Sequence, residues 1–106
     1  MKSYKNEVRI EVLTALGTVD AEYLDDAEKA NDLDRRITRM AGRVLARSEK
    51  TAFFFAYHCT PSWEEIQELF LSKLGRELKL DSVKRYGNDA LLALKAAARN
   101  APELKQ

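Results

Sequence analysis

The chain carries one histidine and one cysteine, His58 and Cys59, and they are neighbours. An imidazole beside a thiol is the raw material of a nucleophile–base pair or of a metal site. Adjacent residues on a helix, however, point about 100° apart. A helical His58–Cys59 therefore gives neither a chelate nor a dyad, and no acid is evidently placed to orient the imidazole. Carboxylates are abundant, but Glu64, Glu65 and Glu68 fall in the first turns of an expected helix, where the dipole alone accounts for them. No phosphate-cradling G-x-x-x-x-G-K-[ST] or G-x-G-x-x-G occurs. The expectation is a protein with no catalytic residues, no metal and no cofactor. A single cysteine cannot form an internal disulfide, which fits a reducing, cytoplasmic compartment.

The charges are segregated. Net charge is only +1 across 106 residues. Yet Asp20, Glu22, Asp25, Asp26, Glu28, Asp32 and Asp34 crowd one stretch, and Arg35, Arg36, Arg39, Arg43, Arg47 and Lys50 follow at once. Arg76, Lys79, Lys84, Arg85, Lys95 and Arg99 make a second basic stretch. Two readings stand: solvated helix faces, or a basic surface for a polyanion with an acidic surface for another partner.

The elements that must position these groups read as helices. Four glycines and two prolines break the chain at few points. With 45% apolar and 33% charged residues the composition is globular. No apolar run reaches the roughly 18 residues of a membrane span, and no apolar h-region follows the N-terminus, so neither membrane nor signal peptide is expected. Glu7 to Val12 alternates with period two, as a strand would. Val8, Val12, Leu13, Leu16 and Val19 also fit one helix face, and a lone strand has no partner. Helix is favoured there, ending near Gly17 as a cap.

Thr18 or Asp20 can cap a second helix, with Leu33, Ile37, Met40 and Val44 on its apolar face. It runs from about residue 20 to 48, or breaks near Asn31–Asp32. Phe53, Phe54 and Phe55 point round all sides of the next helix and call for burial on most faces. Thr60–Pro61, or Ser62 with Glu65 as a capping box, starts a helix through Trp63, Ile66, Leu69, Phe70 and Leu74 to Gly75. The last helix starts at Asp81 or Ser82 and ends near Asn100. Gly42 and Gly87 sit singly within helical patterns, as sites of close packing. The expected architecture is all-α: a compact bundle of four to five helices in one domain, residues 1–100, with a flexible tail at 101–106.

Residues Ser62 to Tyr86 combine an apolar helix face (Ile66, Leu69, Phe70), a turn glycine (Gly75) and a second helix with a buried branched residue (Val83). That is what a helix-turn-helix needs. The segment resembles the helix-turn-helix class with a lengthened first helix found in transposase and phage or plasmid regulator domains. The matching residues are Trp63, Glu65, Ile66, Leu69, Gly75, Ser82, Val83, Arg85 and Tyr86, about a quarter of the chain. Arg76 departs from the class's usual apolar residue, and Gly87 interrupts its recognition helix. The resemblance implies duplex DNA as partner. Ser82, Lys84, Arg85 and Asn88 would then be the contacts, joined by the basic Arg76 and Lys79: Lys84 on phosphate, Arg85 on guanine, Asn88 on adenine. Arg35, Arg36, Arg39, Arg43 and Arg47 would form a secondary basic patch, and Leu33, Ile37, Met40 and Val44 a homodimer seam. The expected function is a small non-enzymatic DNA-binding regulator, from a phage or mobile element. The alternative is a helical protein-binding module, an inhibitor or adaptor of a host protein.

Overall fold

The computed structural model describes residues 2–17 and 25–105. Among the described residues five α-helices run in the order α1 (Lys2–Ala15), α2 (Ala27–Val44), α3 (Glu49–Ala56), α4 (Trp63–Leu74) and α5 (Leu80–Ala98), followed by a 3-10 turn at Pro102–Leu104. No strand occurs among the described residues.

The ambiguous first segment is helix. Tyr4, Val8 and Val12, at spacings of four, are all buried, which is the helical periodicity winning over the alternating one. Gly17 closes the helix at φ +74°, a left-handed conformation that costs glycine little. The proposed caps Thr18 and Asp20, with Val19 and Glu22, lie outside the described residues. The helix that follows is capped by Asp26, whose carboxylate accepts from the N–H groups of Glu28 and Lys29. It continues unbroken through Asn31 and Asp32 and stops at Val44, short of the expected residue 48.

Ser48 caps α3 and Ser62 caps α4, each accepting from the backbone N–H three residues on. Such a cap contributes about 1 kcal/mol. The last helix begins earlier than expected, at Leu80. Its first turn follows Lys79, with no side-chain cap, and Asp81 sits inside that turn near the positive end of the dipole.

α5 is the hub, with α1, α2, α3 and α4 all packing on it. Val83, Gly87, Ala90, Leu91, Leu94 and Ala98 form its buried stripe. The three phenylalanines all pack inward. Phe54 and Phe55 are buried, and Phe53 lies 4.6 Å from the Phe70 ring and 4.8 Å from that of Tyr57. Burying side chains of the size of Phe54 and Phe70 stabilises the fold by about 2–3 kcal/mol each.

The residues after Asn100, expected as a flexible tail, are seated on the bundle. Ala101 and Leu104 are buried, and the 3-10 turn lies against α2, where Arg43 grips Glu103 through two hydrogen bonds of 2.9 and 2.8 Å. α2's apolar stripe is also spent within one copy. Leu33, Ile37 and Met40 are buried in its own core and Val44 is packed against it. A dimer seam through these residues is therefore corrected: the surface it needs faces inward.

One close approach organises the centre. Tyr4 donates its hydroxyl hydrogen to the Gly87 carbonyl at 2.7 Å, and its ring meets Phe54 edge-on at 5.2 Å. Trp63 stacks on Phe54 at 5.5 Å. A Cβ on Gly87 would stand 2.8 Å from Phe54 Cζ and 3.2 Å from Trp63 Cζ3. Gly87 thus lets α5 approach two aromatic rings from two other helices, Phe54 of α3 and Trp63 of α4. Gly42, where close packing was also expected, faces open space among the described residues: nothing would lie within 4 Å of a Cβ there.

Candidate nucleic-acid interface and the His58–Cys59 cleft

The α4–α5 pair is built from its turn outward. Gly75 takes φ +64°, and its N–H reaches the Leu71 and Phe70 carbonyls while the Arg76 N–H bonds Phe70. The extended stretch to Lys79 is held from the side by Gln67, whose Nε2 donates to the Leu78 carbonyl at 2.7 Å. Ile66, Phe70 and Val83 are fully buried between the two helices and the core.

Beyond this turn, α5 turns one face to solvent. Lys84, Arg85 and Asn88 are exposed and Ser82 is half-buried; Arg76 and Lys79 are exposed in the connection. At 100° per residue, Lys84, Asn88 and Arg85 fall within about 100° of each other on the side away from Val83. Among the described residues none of these four cations is bridged to a carboxylate. Tyr86 lies beside them under two cations, Lys50 Nζ at 5.6 Å and the Arg85 guanidinium at 5.9 Å from its ring. Lys50 on α3 is thereby brought to the start of α5. It belongs to the basic run in the sequence, but no spacing rule joins it to Arg85, thirty-five positions away.

The secondary patch is less uniform. Arg35, Arg36, Arg39 and Arg43 share about a 100° arc of α2. Arg36 is bridged to Asp32 at 3.0 Å, Arg35 sits 3.9 Å from the same carboxylate, and Arg43 is held by Glu103. Arg39 and Arg47 are exposed and unbridged among the described residues.

A second site comes from the residues set aside on helix geometry. α3 stops at Ala56, so His58 and Cys59 lie in a turn and the 100° argument does not apply to them. His58 Nε2 stands 3.6 Å from Cys59 Sγ. The other ring nitrogen, Nδ1, bonds the Phe55 carbonyl, which requires an N–H there and leaves Nε2 as the acceptor. The orienting group is thus a backbone carbonyl and not an acid. The imidazole stacks on the Phe55 ring at 4.3 Å, and burial pushes its pKa down against the pull of the Phe55 hydrogen bond.

The pair opens on a cleft of about 320 Å³ between α1, α2 and the end of α3. Val8, Ile37 and Phe55 supply its apolar lining; Lys5, Arg35, Arg39 and Asp34 supply the charge. Asp34 is already engaged, by Arg9 through Nε at 2.7 Å and a second guanidinium nitrogen, and by Lys5 at 3.3 Å. Burial works against its charge, but Arg9 and Lys5 outweigh burial and hold the carboxyl below its ordinary range. Cys59 is exposed at the edge of the cleft.

No helix of the described residues is long and apolar enough to cross a membrane, and no group of three or more His, Cys, Asp or Glu among them is placed to hold a metal ion. Comparison with protein-family models, with curated proteins and with solved structures finds no match for this chain.

Proposed function

We propose that this chain is a small, non-enzymatic DNA-binding protein that engages duplex DNA with the N-terminal half of α5. The observation that carries the reading is the exposed face of Lys84, Arg85 and Asn88, with neither cation bridged to a carboxylate among the described residues, set beyond a turn fixed by Gly75 and Gln67. Surface cations are ordinarily free to pair with neighbouring acids; here Arg76, Lys79, Lys84 and Arg85 have no carboxylate partner among the described residues and can meet phosphate. Side chains at the N-terminal end of such a helix are the ones that reach base edges in the major groove. Arg85 can fork onto guanine and Asn88 onto adenine, while Lys84, Lys79 and Lys50 meet the backbone.

Fluorescence anisotropy of labelled duplex DNA tests the reading. Affinity is expected to fall with salt, with a log–log slope of roughly −0.9 per phosphate neutralised, so about −3 for three contacts. Lys84→Ala should reduce that slope by about 1, and Arg85→Ala should cost about 1–3 kcal/mol on a preferred sequence. No binding at about 50 mM salt, with no effect of Arg85→Ala, rejects it.

A protein partner is the second reading. Leu92 on α5 is 54% exposed and lines a shallow groove with Thr14 and Ala15 of α1. Recovery of one stoichiometric protein, with no DNA shift, favours that reading.

A further inference from the structure

We propose that the cleft between α1, α2 and the end of α3 captures a small anionic disulfide, with Cys59 exchanging into it and His58 serving as its base. The proposal is independent of the DNA-binding face. Three observations converge on it. The thiol is exposed and 3.6 Å from an imidazole nitrogen whose lone pair is turned toward it, because Nδ1 spends its hydrogen on the Phe55 carbonyl. That is the arrangement of an activated nucleophile: thiol, base, and a third group that orients the base. The cleft beside it is of small-molecule size, at about 320 Å³, with Val8, Ile37 and Phe55 to receive an apolar body. Among the described residues its charge is positive in excess: Lys5, Arg35 and Arg39 line it against one carboxylate, Asp34, which Arg9 and Lys5 already hold. Arg39 has no carboxylate partner among the described residues. A carboxylate-bearing disulfide satisfies all three features at once.

The exchange balances without a further reagent. His58 Nε2 takes the thiol proton, and the Cys59 sulfur attacks one sulfur of the bound disulfide. A new S–S bond forms as the old one breaks, and the departing thiolate takes the proton from His58. Cys59 ends as a mixed disulfide, with one small thiol released.

The chain has one cysteine, so a chromogenic disulfide reports Cys59 alone. The second-order rate is measured with the dianionic dithiobis-nitrobenzoate and with the neutral dithiodipyridine, at low ionic strength and pH 7. A short neutral cysteine peptide gives the reference. The anionic-to-neutral rate ratio is expected about tenfold above that of the peptide. Arg39→Gln should bring the ratio most of the way back to the peptide's, and Arg39→Lys should keep it. His58→Gln should lower both rates by roughly tenfold or more while leaving the ratio in place. A variant that has lost its fold shows the peptide's rates with both reagents and is recognised by that. A wild-type ratio equal to the peptide's, a ratio indifferent to Arg39→Gln in a folded variant, or rates indifferent to His58→Gln would each overturn the proposal.

Discussion

Replacing each of two helical glycines by alanine tests the packing at the centre of the bundle, because the same chemical change should act with opposite sign. Both Gly42 and Gly87 lie inside helices, α2 and α5. Alanine in a helix interior is favoured over glycine by about 1 kcal/mol. At Gly42 nothing among the described residues lies within 4 Å of the new methyl group beyond its own helix, so that gain is collected in full. Tm should rise by roughly 4–8 °C for a domain of this size. At Gly87 the methyl would meet Phe54 at 2.8 and 3.1 Å and Trp63 at 3.2 Å. Phe54 cannot swing clear, since Tyr4 meets its ring on one side and Trp63 stacks on it. Overpacking of this kind costs about 1–3 kcal/mol, and pushing the helix away also stretches the Tyr4–Gly87 hydrogen bond, worth about 1 kcal/mol. Subtracting the helix gain leaves Gly87→Ala destabilised by about 1–3 kcal/mol, a Tm fall of roughly 4–24 °C. Urea melts give the same comparison at constant temperature through the midpoint. A Gly87→Ala variant as stable as the parent, or more so, would refute the reasoning, and a destabilised Gly42→Ala would show that α2 packs against something there.

Three further outcomes are expected. Tyr4→Phe keeps the ring contacts but removes the hydroxyl bonded to Gly87 at 2.7 Å, and should cost about 0.5–1.5 kcal/mol in a urea melt; in the parent, absorbance titration should show a tyrosine that resists ionisation past pH 10, because burial and the nearby Glu7 raise the Tyr4 pKa. Glu103 is held at about 2, below the ordinary 4.5, by its hydrogen bonds to Arg43. A depressed folded-state value means that its contribution is whole above pH 4.5 and is lost as pH falls toward 2; carboxyl NMR should show this low titration, and Arg43→Ala should return it toward 4.5, whereas an unchanged titration in that variant would rule out the pair as its cause. Leu104→Ala empties a buried position at the C-terminal turn and should destabilise by about 2–3 kcal/mol, a loss that calorimetry would miss if the turn were a loose appendage.

Helix number and most faces were legible in the sequence because each helix carries its own apolar period. Leu33, Ile37 and Met40 announce α2, and Ser62 with Glu65 announces the start of α4. What escaped depended on distance along the chain. Gly87 reads locally as a site of close packing, but its partners are not legible: Phe54 and Trp63 come from two other helices, and the Tyr4 hydroxyl that meets its carbonyl comes from a third. The seating of residues 101–104 needs Arg43, sixty positions earlier, to be in place. The His58–Cys59 pair was dismissed by a rule that holds within a helix, whereas α3 stops two residues before it. Of the interface, the exposed arc of Lys84, Arg85 and Asn88 follows from the period of α5, while Lys50 arrives from another helix by way of Tyr86.

The place of α5 as hub bears on how the chain comes to be folded as it is made. Helices α1 to α4 each lay an apolar face on α5, and Tyr4 waits 83 residues for its hydrogen-bond partner. A ribosome releasing the chain from its N-terminus therefore exposes four amphipathic helices before the element that joins them has been synthesised. Val8, Val12, Phe54 and Phe70 stay incompletely shielded until α5 emerges. Folding of this bundle is then an event that waits for Leu80–Ala98 to leave the exit tunnel, and a stall ahead of Leu80 leaves the earlier helices without the stripe on which they pack.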